Sequence, residues 1–416
     1  MRSLRNISVR VLRVPVVAVA VAGLAAAAAV VVATPASADP STTYVTVGSD
    51  TIQDVMNQFA LDEFPGQIGS WNAVNPVSGV AHEIITPRPG CSMTRPNGSG
   101  EGLAALRKSI NPSTTAAQLA APPSPGCVDF SRSSSGPGAN ASPTGALQYV
   151  PFALDALATA TGPATAVTGG NPAVATAITQ ADKFTLGTLT TPGDLIHLYR
   201  DCTAVTEGGV TYDPNIPAAA GDQQIHLYVP QAGSGTRNFW ASTLGFNNTT
   251  LPSCVHDTIV GTSPAVPVEE HDGTVFAQDA DALGPFSIAQ WISQSNGNND
   301  RRHNAVLHSL TAAATGGTAV APIVGGSLNT AYPITREVYT VVQRTRIVNT
   351  GTPTNPSPGF DPKLAALLAG AGSQLCSDEL TIISFGFATL DNSPLGHTCG
   401  ATTSDLRAFD PTTNPV

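Results

Sequence analysis

Residues 224–245 constrain this chain more than any other stretch. Gln224-Ile225-His226-Leu227-Tyr228-Val229-Pro230 is an alternating apolar run, the period of a strand. After Gln231-Ala232 comes Gly233-Ser234-Gly235-Thr236-Arg237-Asn238-Phe239-Trp240, whose glycines break the strand. Phe239, Trp240 and Leu244 then recur at helical spacing, and Gly245 is placed as a C-cap. A strand feeding a Gly/Ser/Thr turn into a helix start presents free backbone N–H groups and the positive end of a helix dipole. That is an anion cradle, with the Ser234 and Thr236 hydroxyls as extra donors. Alone, one such turn is equally an ordinary capped strand–helix connection.

The pattern occurs three times. Gly48-Ser49-Asp50-Thr51 follows the strand pattern Thr43 to Val47 and precedes the helical pattern Ile52, Val55, Met56, Phe59. Asn97-Gly98-Ser99-Gly100-Glu101-Gly102 precedes Leu103, Leu106 and Ile110, again helical. Three such turns can converge on one small ligand. Asp50 and Gln53 also fit a capping box. In this order, with Cys127-Val128-Asp129-Phe130-Ser131-Arg132-Ser133-Ser134 and Tyr149-Val150-Pro151-Phe152-Ala153-Leu154-Asp155, the turns resemble the phosphate-binding proteins of ABC importers. The resemblance runs from about Thr43 to the C-terminus.

It implies an α/β chain of the two-lobed type II periplasmic-binding-protein fold, each lobe a mixed sheet flanked by helices. The hinge is two crossing strands, near residues 149–155 and 330–340. Lobe I is then residues 39–151 and 330–416, and lobe II is 152–329. The implied ligand is phosphate or a related oxyanion, with an ABC importer permease as partner, no cofactor, no metal and a monomeric chain. The implied binding residues are Ser49, Asp50, Thr51, Ser99, Arg132, Ser133, Ser134, Ser234, Gly235, Thr236 and Arg237.

Two family positions differ. The phosphate binders carry an arginine four residues before the serine of S-G-T, where this chain has Pro230. They carry an aspartate four residues after the phenylalanine of V-D-F, where this chain has Ser134. Arg132 and Arg237 are the candidates to replace the lost cation, and Asp50 the lost acceptor. The expected pocket is rich in donors and poor in acceptors, so it discriminates weakly between phosphate and sulfate.

The N-terminus carries its own signal. Arg2, Arg5, Arg10 and Arg13 precede an almost wholly apolar run from Val14 to Ala33, and Ala36-Ser37-Ala38 is a cleavage site before Asp39. This reads as a secretory signal peptide cleaved after Ala38. The first cysteine is Cys91, so no lipid-attachment cysteine stands at that point, and a secreted protein is expected. Removing the leader takes away four arginines, leaving 15 basic against 29 acidic residues and a net charge of −14. Such a balance argues against nucleic acid or an anionic membrane as partner, though local N–H dipoles still hold a small anion. Ala, Thr, Ser, Gly and Pro fill the chain, as in many exported proteins of high-GC bacteria.

Six cysteines in an exported chain favour disulfides, and none has metal-ligand spacing. Fifteen pairings are open. The local one, Cys91–Cys127, Cys202–Cys254 and Cys376–Cys399, is the cheapest to form. Val268-Glu269-Glu270-His271-Asp272-Gly273 invites a metal or acid–base reading, but no second His/carboxylate pair sits at matching spacing. It reads as a solvated turn. Arg301 and Arg302 fall in a polar, exposed loop, and Lys363 to Gln374 reads as a helix. Val338 to Val342 reads as a strand, and Leu380 to Leu390 as an apolar segment. A secreted hydrolase using Ser234 is the enzymatic alternative. The elbow G-x-S-x-G fails at Ala232, and His226 and His256 lack triad context. A third class keeps the fold for a different polar solute or for a cell-wall or adhesion role.

Overall fold

A computed structural model describes residues 43–62, 66–114, 119–163, 176–391, 393 and 395–409. The leader with its cleavage site, and the tail from Thr412, lie outside the described residues. Tyr44–Gly48 (β1) is buried at all five positions, because it is flanked on both edges. It pairs in parallel with Ile68–Ser70 (β2) and Phe130–Ser133 (β3). Parallel strands covered on both faces carry near-continuous apolar runs, which is what Tyr-Val-Thr-Val supplies.

Leu147–Thr161 (β4) is a fifteen-residue strand buried throughout. Then come His226–Tyr228 (β5), Val255–His256 (β6), Ala282–Ser287 (β7), Val306–Leu307 (β8), Thr335–Gln343 (β9) and Arg407–Ala408 (β10). One ten-stranded sheet joins them in the order β6-β5-β7-β4-β9-β3-β1-β2, with β8 and β10 also on β4. Strands β4 and β9 run antiparallel through its middle, from Thr335 opposite Ala156 to Gln343 opposite Leu147, with a bulge between Val338 and Tyr339. Strands from residues 44–133 lie on one side of this pair and strands from residues 226–287 on the other.

Helices Gln53–Asp62 (α1), Ser99–Ile110 (α2), Asp194–Asp201 (α3), Gly235–Leu244 (α4), Ile288–Ser295 (α5) and Pro362–Leu368 (α6) cover the sheet. Each buries the apolar stripe its sequence prescribes: Val55, Met56 and Phe59 in α1, Leu195, Leu198 and Tyr199 in α3, Trp240 and Leu244 in α4. The Tyr199 and Trp240 rings meet edge-on at 5.6 Å. Gly245 ends α4 in the left-handed conformation (φ 76°), as its placement predicts. Helix α2 lies directly on the end of β1, since a Cβ on Gly102 would overlap Gly48 Cα.

Disulfides join Cys91 to Cys127, Cys202 to Cys254 and Cys376 to Cys399. The helix expected over 363–374 is broken. Helix α6 stops at Leu368, the Gly370 N–H bonds the Gly400 carbonyl at 2.8 Å, and a separate turn follows at Gln374–Ser377. The expected apolar segment 380–390 is only partly buried: Leu380 is 83% exposed, while Ala388 exchanges two backbone hydrogen bonds with Leu154. Among the described residues no helix is long and apolar enough to cross a membrane.

Candidate functional site

The turns between β1 and α1, before α2 and before α4 come together beside the paired strands β4 and β9, near Asp155 and its cross-strand neighbour Arg336. The turn ahead of α2 and the turn ahead of α4 touch backbone to backbone, with the Gly100 N–H donating to the Gly233 carbonyl at 2.8 Å. Ser99 Oγ lies 3.2 Å from Ser134 Oγ and accepts from the Ser134 N–H at 3.0 Å. Gly235 sits against both hydroxyls, leaving no room for a Cβ.

At the centre is a residue the sequence reading did not single out, Arg336 on β9. Only 1% exposed, it donates to Asp155 Oδ2 through Nε (3.0 Å) and Nη2 (2.8 Å). Its Nη1 donates to the Ser134 carbonyl at 3.1 Å and to Thr236 Oγ1 at 2.9 Å, and Nη2 lies 3.5 Å from Thr51 Oγ1. One guanidinium thus reaches two of the three turns, through Thr51 and Thr236, together with the Ser134 carbonyl after β3 and Asp155 on β4. Asp155 takes two further donors, Ser287 Oγ at 2.9 Å and the Ala289 N–H at 3.1 Å, so a carboxylate also stands at the start of α5.

The candidate cations fall elsewhere. Arg132 is fully buried, but its guanidinium serves the carbonyls of Ser49, Gly48, Trp71 and Thr46 and the Ser70 hydroxyl. Burial lowers its pKa to about 9. It holds the ends of β1 and β2 in place from behind the cluster. Arg237 turns to Asp257 (2.8 Å), Asn248 and the Pro230 carbonyl, away from Thr236. The reason is local: two residues into α4, its side chain leaves the helix on the side of the 247–257 loop.

Among the small residues, Ser234 Oγ caps α4 by accepting the Arg237 N–H at 2.9 Å, and Ser133 Oγ donates to the Ser135 carbonyl at 2.7 Å. Ser49 Oγ is buried with no hydrogen-bond partner among the described residues. The capping box does not form. Asp50 Oδ1 accepts from the Thr51 N–H at 3.0 Å, and Gln53 Oε1 accepts from the Ala73 N–H at 2.9 Å.

The turn 268–273 is not solvated either. Glu270 is 1% and His271 3% exposed. Glu270 Oε1 accepts from the Thr236 N–H at 3.0 Å, and Oε2 accepts from Thr51 Oγ1 at 3.2 Å. His271 Nε2 lies 2.7 Å from Thr51 Oγ1. The expectation of an acceptor-poor pocket therefore fails, because Glu270, Asp155 and Asp50 all face the donors. Burial, then Glu270, pushes the Asp50 carboxyl well above the usual range, and burial brings the His271 imidazole down to about 4. Asp50, Glu270 and His271 bring three donor atoms within 4.8 Å of one another, a set of the kind a divalent cation uses. Here each is engaged with its neighbours: Glu270 with an N–H and a hydroxyl, His271 with the same hydroxyl.

Two cavities flank the cluster. One of about 220 Å³ is lined by Asp50, Gln53, Glu269, Glu270, Asp272 and Arg301 among others. Arg301, expected to be exposed, keeps Nε and Nη2 buried without a hydrogen-bond partner among the described residues. The other, of about 790 Å³, opens between Ser99, Ser133, Tyr149, Tyr339, Phe239 and Phe246. The Phe239 ring separates it from Arg336, whose Cζ lies 6.0 Å from the ring centroid.

A family model described as the PBP superfamily domain matches residues 33–353. No curated protein matches the chain. Among solved structures, the chain is similar to an ABC-type phosphate transport receptor from Vibrio cholerae (15% identity, TM-score 0.40, covering 83% of this chain and 99% of that one). It is similar to a phosphate-binding protein from Stenotrophomonas maltophilia (13%, 0.39, 89% and 98%) and to PstS from Borrelia burgdorferi (11%, 0.36, 83% and 97%). With three strand–turn–helix units gathered where two long strands cross a mixed sheet, and a family model spanning most of its length, this two-lobed α/β chain belongs to the PBP superfamily of periplasmic binding proteins.

Proposed function

We propose that the chain is an extracellular solute-binding protein that closes two lobes over a small oxyanion, phosphate foremost, without catalysis. The lobes are residues 39–151 with 330–416, and residues 152–329. An ABC importer permease reads the closed form. The leader is removed after Ala38, where no lipid-attachment cysteine stands. One observation carries this reading: Arg336 and the α4 start place a guanidinium, the Thr236 N–H and the hydroxyls of Thr51 and Thr236 around one point. Oriented N–H and O–H donors beside a fixed cation favour an oxyanion over a cation or an apolar solute. Arg336 takes the part for which Arg132 and Arg237 were the sequence candidates.

The test is calorimetry at neutral pH on protein unfolded, dialysed and refolded to strip bound ligand. Phosphate or sulfate is expected to bind below millimolar, and Thr236→Val, which removes one hydroxyl, to weaken binding by about tenfold. If neither anion binds in that range and Thr236→Val changes nothing, a different polar solute takes the oxyanion's place.

A further inference from the structure

The donors that make the cradle are already in use. Thr236, in the first turn of α4, gives its N–H to Glu270 Oε1 at 3.0 Å, and Thr51 gives its hydroxyl to Glu270 Oε2 at 3.2 Å. The Asp50 carboxyl hydrogen-bonds the same group, and His271 Nε2 stands 3.4 Å from Oε2. Glu270 is 1% exposed, so these bonds are shielded from bulk solvent. A backbone N–H has one proton to give. An incoming oxyanion and Glu270 cannot both hold the Thr236 N–H.

The chain around Glu270 is anchored on both sides. The Gln231 N–H bonds the Val268 carbonyl at 2.8 Å, Gln294 Nε2 bonds the His271 carbonyl at 2.9 Å, and the Gly273 N–H bonds the Arg301 carbonyl at 2.7 Å. Between those anchors Glu270 is one of the residues around the cavity of about 220 Å³, as is Arg301, whose buried Nε and Nη2 have no hydrogen-bond partner among the described residues. The carboxylate therefore has a cavity beside it, and at that cavity a guanidinium that already faces the carboxyls of Asp50 and Asp54.

We propose that Glu270 is an internal occupant of the oxyanion cradle, displaced toward Arg301 when an oxyanion binds, and that it sets the affinity and selectivity of the site. This rests on the oxyanion reading above. A carboxylate offers a planar pair of acceptor oxygens. A tetrahedral anion offers the same two with more behind them, so it is the class of ligand able to take over both bonds while lying beside the Arg336 charge.

The experiment is calorimetry with inorganic phosphate and with sulfate at pH 7 on the stripped full mature chain. It compares wild type, Glu270→Ala, Glu270→Gln and Glu269→Ala, each checked for native thermal unfolding. Expected is binding tighter by about tenfold or more in Glu270→Ala, and by a smaller factor in Glu270→Gln, which keeps the volume and one acceptor. Glu269→Ala is expected to change binding less than Glu270→Ala, because its carboxylate accepts from Asn97 Nδ2 and holds neither the Thr236 N–H nor the Thr51 hydroxyl. If Glu270→Ala does not fold, the Glu270→Gln comparison decides. Unchanged or weaker binding in the folded variants overturns the proposal while leaving the oxyanion reading in place. Weakening for phosphate alone does so by making Glu270 an acceptor for the ligand's proton. Absence of anion binding in wild type and variants alike overturns both.

Discussion

Arg336 and Asp155 are direct cross-strand neighbours on the two long antiparallel strands, joined at 2.8 and 3.0 Å and 1% and 0% exposed on their side chains. Every donor and acceptor position of the pair that faces the protein is matched, by Thr236, Ser134, Ser287 and the Ala289 N–H. An ion pair this dry persists only when so fully bonded, because desolvation otherwise outweighs the attraction.

Removing one partner is therefore costly. Arg336→Met leaves Asp155 a buried carboxylate without its cation and is expected to destabilise the protein by about 3–5 kcal/mol. Adding Asp155→Asn removes the stranded charge and is expected to restore part of that loss. Denaturant unfolding of the two single variants and the double closes the cycle. A double variant as unstable as the sum of the singles rules the coupling out.

Two buried groups make stability depend on pH in opposite directions. His271 titrates near 4 in the folded chain, against about 6.5 unfolded. Between these values the unfolded state binds the extra proton, so stability falls as pH drops from about 6.5 to 4, by about 3 kcal/mol. His271→Gln is expected to flatten that limb. Asp50, whose pKa burial and then Glu270 raise, acts oppositely: the folded state holds the proton more tightly, so stability falls as pH rises above the unfolded carboxyl range. Asp50→Asn, whose amide can donate to Glu270 as the acid does, is expected to stabilise the protein at pH 7 and not at pH 4. Thermal unfolding across that range, compared variant by variant, reads both.

The disulfides close loops of different length, with separations of 52, 36 and 23 residues for Cys202–Cys254, Cys91–Cys127 and Cys376–Cys399. On loop entropy alone, removing the pair Cys202/Cys254 with serines costs about 4 kcal/mol and removing Cys376/Cys399 about 3. The expected order of unfolding midpoints follows loop length. A reversed order would place the stabilisation in native packing instead.

What the sequence made legible was local. The turns before α1, α2 and α4 announce themselves because glycine, a small hydroxyl residue and the onset of a helical stripe stand within a few residues. The neighbouring cysteines pair because the intervening chain is short enough to return. The centre of the site was hidden for the opposite reason. Arg336 meets Asp155 across 181 positions and Thr236 across 100, and Glu270 reaches the Thr236 N–H across 34. A charged residue on an alternating strand, or in an acidic turn, reads as solvated until its distant partners are known. Arg132 and Arg237 drew attention by standing beside the turns. Adjacency in sequence does not fix where a long side chain points, and both spend their guanidinium on other groups.

Gly235 tests how closely the turns must approach. At the first position of a helix, alanine is ordinarily the better residue, by up to about 1 kcal/mol. Here a Cβ would overlap Ser99 Oγ and Ser134 Oγ, which already sit 3.2 Å apart. Gly235→Ala is therefore expected to destabilise by about 1–3 kcal/mol, the cost of overpacking. Adding Ser99→Ala and Ser134→Ala removes the two hydroxyls and is expected to recover part of it, which a general helix effect would not do. On the two-lobe reading the same methyl group acts as a wedge between segments that carry opposite walls of the cleft. Small-angle scattering of Gly235→Ala is then expected to show a larger radius of gyration than wild type. A variant as stable and as compact as wild type would mean that the contact between these turns is slack rather than close.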